Sequence, residues 1–332
     1  MMRDVDIVRW GIIGCGDVTE VKSGPGFRKA NGSALVAVMR RDRAKAEDYA
    51  RRHGVDRVYD RAEDLLADPE VDALYIATPP ASHCDLAVRC ASAGKPCLVE
   101  KPMARNYDEC SRMLEAFRRA RVPLWVAYYR RALERFLTVR ALLTGGAVGR
   151  LTSVHVELFD RLASPNRATA WRFDPSVAGG GLFLDLGSHA IDLLDFLVGE
   201  ITAVSGFAVN SGGAYAAEDI TAASFQLTGG ILGTGLWNFN ADRRCDLMTF
   251  TGSEGELQTP VFHDGDVVVT RADQSSVYPI RNPPHVHQPL IQSIVDELLG
   301  RGRCASTGDS GARASRVMDR CVRGYYRDRR GH

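Results

Sequence analysis

Hydrophobic and polar positions follow two different periods over the first third of the chain. Short apolar runs such as SALVAVMR, DALYIAT and PLWVAYY predict buried strands, and stretches with helical spacing separate these runs. Two of the helical stretches end in glycine, at Gly54 and Gly94, and glycine commonly follows the last residue of a helix. Strands that are apolar on both faces and alternate with helices are typical of a parallel sheet covered on both sides. Residues 1–125 are therefore predicted to form an α/β domain.

The pattern changes after Gly145 and Gly146. LTSVHVELFDR predicts a strand, and a glycine triplet at residues 179–181 precedes one long apolar helix, LFLDLGSHAIDLLDFLVG. Further strand-like runs follow, with TGG and SEG between them as turn signals, and helical patterns end the chain. Residues 126–332 are therefore predicted to form an α+β domain with an open, mostly antiparallel sheet and a C-terminal helix able to pack back on the first domain.

Composition narrows the class of protein. The 332 residues suffice for two domains, and a hydrophobic share of 45% supports sizeable cores. Lys and Arg number 42 against 41 Asp and Glu, so no charge excess points to nucleic acid or to an anionic membrane. No apolar run approaches the ~18 residues of a membrane-spanning helix, and the N-terminal run lacks the regions of a signal peptide. The eight cysteines include no CxxC pair, which favours buried, reduced thiols in a cytoplasmic protein.

The first predicted strand ends in the glycine-rich run GIIGCG. Gly14 and Gly16 supply the G-x-G of a dinucleotide-binding turn, and Asp17 and Val18 follow where the next helix would begin. Glycines there allow a tight backbone and the close approach of a pyrophosphate. The third position of the full motif holds Thr19, and glycines also serve ordinary turns. The position between a first strand and a first helix nevertheless predicts nucleotide binding.

The second predicted strand ends at Arg40 and Arg41, where a site for NAD usually places a carboxylate to hold the ribose 2′-hydroxyl. Two guanidinium groups instead offer planar sets of donors that suit a 2′-phosphate. Solvated loop charges are the alternative in a chain this rich in arginine. The sequence therefore favours NADP as the cofactor and leaves NAD open.

Two further loops follow later strands. The strand PCLVE ends in Glu100 and is followed at once by Lys101, while Thr78 and Pro79 follow DALYIAT, with His83 shortly after them. Ligands of open α/β sheets bind beyond the carboxyl ends of the strands, so these residues are predicted to lie at the cofactor site. The alternatives are a strand-end lysine in solvent and an ordinary helix-entry turn.

Polar residues interrupt the long apolar helix. Asp185 and His189 are four positions apart and are expected to share one helix face, with Asp192 close to it. Buried polar groups must pair with each other or face a cleft. A carboxylate beside a histidine fixes the tautomer of the ring and raises its basicity, as a general base requires. A satisfied structural pair is the alternative.

One histidine pair is compatible with a metal site by residue type alone. His285 and His287 lie in the run PPHVHQ, and imidazole is a common metal ligand. A third ligand is not evident from the spacing, so we predict no metal site.

Together these motifs resemble the Gfo/Idh/MocA family, the group of glucose–fructose oxidoreductase and inositol dehydrogenase, over nearly the whole chain. The resemblance rests on the runs GIIGCG, ATPPASH, VEKPMA, GGGLFLDLGSHAIDLL and, in the closing helix pattern, STG. It implies a Rossmann domain followed by an α+β domain with an open sheet. It also implies an NAD(P)-dependent oxidoreductase that moves a hydride between the nicotinamide and a secondary alcohol or ketone of a sugar, cyclitol or related polyol.

The resemblance also implies roles for individual residues. The catalytic set carried over is Lys101, Asp185 and His189. In oxidation, His189 would take the hydroxyl proton and Lys101 would hydrogen-bond the reacting oxygen, while Asp185 would orient His189 or bind a neighbouring hydroxyl. Because these residues fall in different domains, the sequence predicts that a cleft between the domains brings them together.

Departures from the family pattern affect the substrate. Many relatives carry an asparagine in the loop that reads ATPPASH here, and another after the sixth strand, where this chain has Tyr129. No particular sugar specificity is therefore transferred. The further candidates for substrate contact, all in the second domain, are Trp171, Arg172, Trp237 and Asn238. Relatives pair through the second-domain sheet, which predicts a homodimer or homotetramer.

Two alternative functions share these motifs. Some relatives hydrolyse glycosides through a transient oxidation with tightly held NAD, and net turnover without added cofactor would identify such an enzyme. A nucleotide-sensing regulator on the same fold, like the yeast galactose-pathway repressor, would not need the catalytic residues. Since this chain has all three of them, the sequence favours the oxidoreductase.

Overall fold

Two sheets of different type divide the protein into two units. The computed structural model describes residues 6–161 and 169–329. The first unit comprises the residues up to 104 together with 108–133 and 283–312, and the second comprises 105–107, 134–282 and the residues from 313 onward. The first unit therefore continues past residue 125, where the sequence placed the boundary, and includes a returning segment near the C-terminus.

The first unit contains a parallel sheet of six strands in the order β3-β2-β1-β4-β5-β6. The strands are β1 (Val8–Ile13), β2 (Ser33–Met39), β3 (Arg57–Tyr59), β4 (Ala73–Ile76), β5 (Cys97–Val99) and β6 (Leu124–Val126). The hydrophobic pattern missed β3, because its three residues are partly exposed and form no apolar run. The strand order reverses between β1 and β4, which is where open sheets of this kind bind ligands.

Helices connect these strands. They are α1 (Asp17–Val21), α2 (Gly24–Lys29), α3 (Arg43–His53), α4 (Ala62–Ala67), α5 (His83–Ser92) and α6 (Tyr107–Ala120). Local signals set the ends of α3: the Asp42 carboxylate accepts a hydrogen bond from the backbone N–H of Lys45 at 3.3 Å. Gly54 ends the helix with a φ of 63°, as the glycine pattern predicted.

The second unit contains an eight-stranded sheet in the order β14-β13-β12-β11-β7-β10-β9-β8. Its strands are β7 (Leu151–Arg161), β8 (Ile201–Val209), β9 (Ile220–Leu227), β10 (Leu232–Asn238), β11 (Asn240–Gly252), β12 (Glu256–Thr259), β13 (Val267–Arg271) and β14 (Gln274–Tyr278). Among the described strands of this second sheet, β7 and β10 form the one parallel pair. The TGG and SEG turns join antiparallel neighbours, β9 to β10 and β11 to β12. The predicted fold class, a Rossmann-like domain followed by a mostly antiparallel α+β domain, is confirmed.

Helices of the second unit and the end of the chain complete the fold. They are α7 (Glu134–Thr144), α8 (Pro175–Ala178), α9 (Ser188–Leu197), α10 (Gln288–Leu298) and α11 (Gly308–Arg329). In the first unit, α10 packs against α2 and against the 3₁₀ turn Tyr129–Ala132, which explains why that unit includes residues 126–133 and 283–312. In the second unit, Arg313 of α11 makes two hydrogen bonds of 2.7 and 2.8 Å to Asp195 of α9. Within the described ranges, no helix has the length and apolar character needed to cross a membrane.

One face of the second sheet is buried and the other is open. Residues along β9 alternate between buried and exposed, and the buried face includes Phe225, Trp237 and Phe250. The open face carries Phe207, whose side chain is 80% exposed, and Leu232, which is 62% exposed. The cross-strand register places these two residues on the same face. The alternation of buried and exposed residues along the strands agrees with the period-2 pattern of the strand-like runs.

Candidate active site

The glycine turn after β1 has a backbone that only glycine fits. Gly14 has a φ of 92°, and a Cβ there would lie 2.6 Å from Cγ2 of Thr78. Its N–H donates to the Met39 carbonyl oxygen at 2.8 Å, which fixes the turn to the end of β2. A substituted residue would clash and strain the backbone. The turn follows β1, where the strand order of the first sheet reverses.

Gly16 lies beside open space, so close packing does not account for a glycine at this position. A Cβ at this position would have only the Gly14 carbonyl oxygen within 4 Å, at 3.9 Å. Thr19, at the third position of the motif, accepts a hydrogen bond from the Gly16 N–H at 3.0 Å and donates to its carbonyl oxygen at 2.7 Å. These bonds fasten the turn to α1, which begins at Asp17 and continues with Val18. A glycine that leaves open space beside a fixed turn fits the close approach of a dinucleotide pyrophosphate.

The two arginines after β2 differ in their surroundings. The Arg40 guanidinium donates from Nη1 to the Cys15 carbonyl oxygen at 2.9 Å, so it is held against the glycine turn. Arg41 is exposed. Burial raises the pKa of the Cys15 thiol to about 11, which keeps it neutral. The Arg40 guanidinium is therefore fixed beside the turn, and the Arg41 guanidinium is exposed to solvent. Both follow β2, where a dinucleotide site contacts the ribose 2′-substituent.

The residues after β5 form a compact polar group. Glu100 is buried, and its carboxylate accepts hydrogen bonds from the Tyr75 hydroxyl and, at 3.1 Å, from the backbone N–H of Lys101. Burial raises the pKa of Glu100, while the neighbouring Lys101 lowers it. The carboxylate thus fixes the backbone from which the Lys101 side chain extends. Glu100 was predicted to contact the cofactor. In the structure its carboxylate holds the backbone of Lys101 in place.

His83 does not have the geometry of a cofactor contact. Its ring is fully buried, with Nε2 2.7 Å from the Thr78 carbonyl oxygen and Nδ1 3.1 Å from the Pro102 carbonyl oxygen. Burial lowers its pKa. Both ring nitrogens face backbone carbonyls, so the prediction of a direct contact is corrected. His83 joins the Thr78 loop to the Lys101 loop, and within the former Pro79 is exposed.

His287 joins this first-unit site, although sequence reasoning considered it only as a metal ligand. Its ring stacks on Tyr129, with centroids 4.5 Å apart, and Nδ1 lies 3.8 Å from Oε1 of Glu100. Burial, with the nearby positive charges of Lys22 and Lys101, lowers its pKa to about 3, so the ring is neutral. Tyr129 is therefore near Glu100 as well. No spacing signal in the sequence indicated this contact.

The histidine pair does not form a metal site. His285 has Nε2 2.7 Å from Nζ of Lys29, whereas His287 is 2% exposed and stacked on Tyr129. Across the described part of the chain, no group of three or more His, Cys, Asp or Glu side chains is placed to hold a metal ion.

The long apolar helix begins irregularly. Residues Phe183–Gly187 form a π turn, and α9 starts only at Ser188. Asp185 therefore lies within the π turn and His189 at the start of α9, and the prediction that they share a helix face stays a prediction. A π turn inserts an extra residue into the helical repeat, and such turns often occur at functional sites.

Asp185 lies beside two of the residues predicted to contact substrate. Its side chain is 15% exposed, with Oδ2 3.8 Å from Nε of Arg172. The Arg172 guanidinium in turn lies 5.2 Å from the ring centre of Trp171. The structure therefore brings Trp171, Arg172 and Asp185 together.

His189 is held in a buried position on α9. It is 3% exposed and meets the edge of the Phe262 ring at a centroid distance of 5.7 Å. The loop that carries Phe262 is fixed by Asp246, which accepts hydrogen bonds from the N–H groups of Val261 and Phe262 at 2.9 and 2.7 Å. Sequence reasoning missed Asp246, because nothing near it in sequence marks it as a loop anchor for the histidine.

Trp237 and Asn238 face opposite sides of β10. Trp237 is fully buried and packs edge-on against Phe183 of the π turn, with centroids 4.8 Å apart. Asn238 points to the open face, where it accepts a hydrogen bond from Asn240 N–H at 2.9 Å. Neighbouring residues of a strand alternate between faces, so these two candidates lie on opposite sides of the sheet, and contact of either with substrate stays a prediction. Trp237 supports the π turn from within the core.

Comparisons with known proteins match both units. The model of the oxidoreductase family with an NAD-binding Rossmann fold matches residues 8–128, and that of the GFO/IDH/MocA C-terminal domain matches residues 136–258. "Oxidoreductase P35" of Formosa agariphila is 35% identical over 315 residues, which cover 94% of this chain and 97% of that protein. The 1,5-anhydro-D-fructose reductase of Ensifer adhaerens is 26% identical over 91% of this chain and 92% of its own length.

Solved structures share the fold. Levoglucosan dehydrogenase in complex with NADH superposes with a TM-score of 0.84 at 21% identity, over 96% of this chain and 97% of that one. An aldose-aldose oxidoreductase from Caulobacter crescentus gives a TM-score of 0.85 at 22% identity, over 98% of each chain. At this level of identity the likeness shows the arrangement of the fold.

Proposed function

Because the chain belongs to the GFO/IDH/MocA family of oxidoreductases, we propose that it interconverts a secondary alcohol and a ketone on a sugar, cyclitol or related polyol. The observation that carries this proposal is the glycine turn at Gly14 and Gly16, which leaves space for a dinucleotide where the parallel sheet reverses its strand order. The names of the relatives, a sugar reductase and two sugar oxidoreductases, support the substrate class.

The proposed mechanism assigns a task to each of three side chains. A nicotinamide cofactor held at the glycine turn of Gly14 and Gly16 would supply the hydride-transfer chemistry between the alcohol and the ketone. In oxidation, His189 takes the hydroxyl proton, and in reduction it supplies that proton. Lys101 donates a hydrogen bond to the reacting oxygen and stabilises the negative charge that develops there. Asp185, held beside Arg172, binds a neighbouring hydroxyl or orients the base.

A substrate screen tests this proposal. Sugars, inositols and their keto forms are offered with NAD and NADP side by side, and reduction or oxidation of the nicotinamide is followed by absorbance. We expect turnover of at least one polyol or its ketone that depends on added cofactor. Cofactor binding without turnover of any member of the panel would contradict the proposal and favour a sensing role.

We also propose that NADP is preferred over NAD. Arg40 is fixed beside the glycine turn through the Cys15 carbonyl, and Arg41 is exposed next to it, so both can reach a 2′-phosphate. Guanidinium groups bind phosphate with several charge-assisted hydrogen bonds.

Replacing Arg40 and Arg41 together with alanine is expected to weaken NADP binding by about tenfold or more per lost contact and NAD binding much less. Calorimetric titration with each cofactor measures the change. Arg51→Ala, which removes an exposed arginine that pairs with Asp48 on α3, is the matched control. A wild-type protein that binds NAD more tightly than NADP would contradict the preference.

The open face of the second sheet supports a proposed homodimer or homotetramer. Phe207 and Leu232 place two large, exposed apolar side chains on this face, and exposed apolar surface often marks an interface. Changing both to aspartate is expected to give a monomer. Both side chains lie on the open face, so the change would place two negative charges in the proposed interface. Light scattering at micromolar concentration checks this result, with Leu137→Asp on α7 as a control at an equally apolar, exposed position outside the sheet. A wild-type monomer under the same conditions would be contrary to the proposal.

A further inference from the structure

Glu218 is a fully buried carboxylate in the segment before β9. It is 0% exposed, and each of its two oxygens lies 2.9 Å from the backbone N–H nitrogen of Gly181. One oxygen also accepts a hydrogen bond from the Tyr326 hydroxyl of α11. A buried carboxylate needs such donors to offset the loss of water. The same group therefore joins three parts of the second unit that are distant in sequence.

The glycine triplet before the π turn is shaped by this carboxylate. A Cβ at Gly181 would lie 2.3 Å from the Glu218 carbonyl oxygen, and a Cβ at Gly180 would lie 3.3 Å from Oε1 of Glu218. A side chain at Gly181 would therefore push the two segments apart, and one at Gly180 would crowd the carboxylate. The glycines serve the close approach of Glu218 and not only a flexible loop.

Gly181 connects the carboxylate to Asp185. Its carbonyl oxygen accepts hydrogen bonds from the N–H groups of Leu184 at 3.1 Å and Asp185 at 3.4 Å. Glu218 holds the N–H of the same residue. Two hydrogen bonds in series thus separate the buried carboxylate from the backbone of a proposed active-site residue.

We propose that Glu218 is a positioning residue of the active site, which fixes the start of the π turn and thereby the place of Asp185. The importance of Asp185 for catalysis rests on the proposed function. The anchoring of the π turn by Glu218 depends only on contacts within the second unit. Tyr326 completes the arrangement by supplying the second donor, so that α11 and the π turn share one anchor.

The ionisation of Glu218 supports a role beyond stability. Burial raises its pKa from 4.5 to about 7, with the Asp219 charge adding to the shift and the Tyr326 and Gly181 donors opposing it. The folded-state pKa lies above the unfolded one, so the favourable contribution is present at pH below 4.5 and is lost as the pH rises through about 7. Above that pH the ionised group opposes folding. Burial also raises the pKa of the nearby Tyr215 phenol, to about 12.

A set of four variants separates the roles of this carboxylate. Glu218→Ala removes both acceptors. Glu218→Gln keeps one oxygen for the Gly181 N–H and sets an amide N–H against the Tyr326 hydroxyl, which can accept. Tyr326→Phe removes only that hydroxyl, and Tyr325→Phe is the matched control, because the Tyr325 hydroxyl bonds to the Ala216 carbonyl oxygen at 2.8 Å.

Amide hydrogen exchange measures the positioning without any substrate. In Glu218→Ala we expect peptides covering residues 181–189 to exchange about tenfold faster or more than in the wild type. Glu218→Gln and Tyr325→Phe should stay within about threefold of the wild type, since the Gly181 bond remains. Denaturant unfolding at pH 8 should show Glu218→Gln to be at least as stable as the wild type.

Kinetics measured on the substrate found in the screen add the functional arm. Glu218→Ala is expected to lower kcat by about tenfold or more, with little change in the cofactor Kd, and Glu218→Gln to recover most of kcat. A role limited to general stability would change the unfolding midpoint and leave kcat of the folded protein unchanged.

Several outcomes would overturn the inference. Unchanged exchange in a folded Glu218→Ala protein would do so, and so would equal effects of Ala and Gln, because the lost acceptor would not then be the cause. If Glu218→Ala does not fold, faster exchange in Tyr326→Phe than in Tyr325→Phe supports the inference, and equal exchange in the two overturns it. If amide hydrogen exchange in the variants changes as expected but no substrate is turned over, the proposed function is refuted and the positioning role of Glu218 is still supported.

Discussion

Lys101→Ala is expected to lower kcat by about 10²–10⁴ on the substrate identified by the screen, which is the usual effect of removing a positioned acid–base or charge-stabilising group. The ammonium group is assigned to the reacting oxygen, where negative charge develops, so its loss raises the barrier in both directions. The backbone around it should persist, because Glu100 accepts from the Lys101 N–H, a bond that alanine retains.

Cofactor affinity should change much less than kcat in this variant. Gly14, Gly16 and Thr19 shape the turn proposed to hold the pyrophosphate, and the hydrogen bonds that fix this turn join Gly14 to Met39 and Gly16 to Thr19. Lys95→Ala is a matched control in the same unit. The Lys95 ammonium donates to backbone carbonyls, among them that of Val71 at 2.8 Å, so its removal should lower stability and leave kcat intact. Full turnover by Lys101→Ala would contradict the assignment of Lys101.

The sequence was sufficient where a signal is local. The apolar runs located every strand of the first sheet except β3, whose partly exposed residues give no run. The helix end at Gly54 and the glycine turn at Gly14 depend on backbone conformations that few other residues adopt, so one residue type reveals them. Turn signals likewise placed two hairpins of the second sheet, β9 to β10 and β11 to β12.

The sequence was insufficient where a side chain contacts residues that are distant in sequence. It was also insufficient where the buried face of a strand depends on what packs against it. Alternation shows that Trp237 and Asn238 point to opposite sides of a strand, but not which side the helices cover. His83 has polar atoms that suit a ligand, and only the fold shows that they face the Thr78 and Pro102 carbonyls.

Distance in sequence also hid the positioning role of Glu218. Glu218 lies 37 positions from Gly181 and 108 positions from Tyr326. No local pattern marks a glutamate between two strands as the group that fixes a helix start. The π turn was hidden for a related reason, because the spacing of apolar residues from Leu182 onward does not show an extra residue in the helical repeat.

His189→Asn is expected to lower kcat by about 10²–10⁴ in both reaction directions, since asparagine can neither take the hydroxyl proton nor return it. The substitution fits the buried space beside Phe262 better than a charged residue would, so folding should persist. His285→Asn is the matched control, because His285 contacts Lys29 and has no assigned step.

Measured together, kcat and cofactor Kd distinguish a base from a structural histidine. A base gives a large loss of kcat with an unchanged Kd, because proton transfer occurs after both ligands are bound. A structural role for His189 predicts a lower unfolding midpoint with kcat nearly retained by the folded fraction. If His189→Asn and Lys101→Ala both turn over substrate at the wild-type rate, the proposed roles are wrong, even where the substrate class is right.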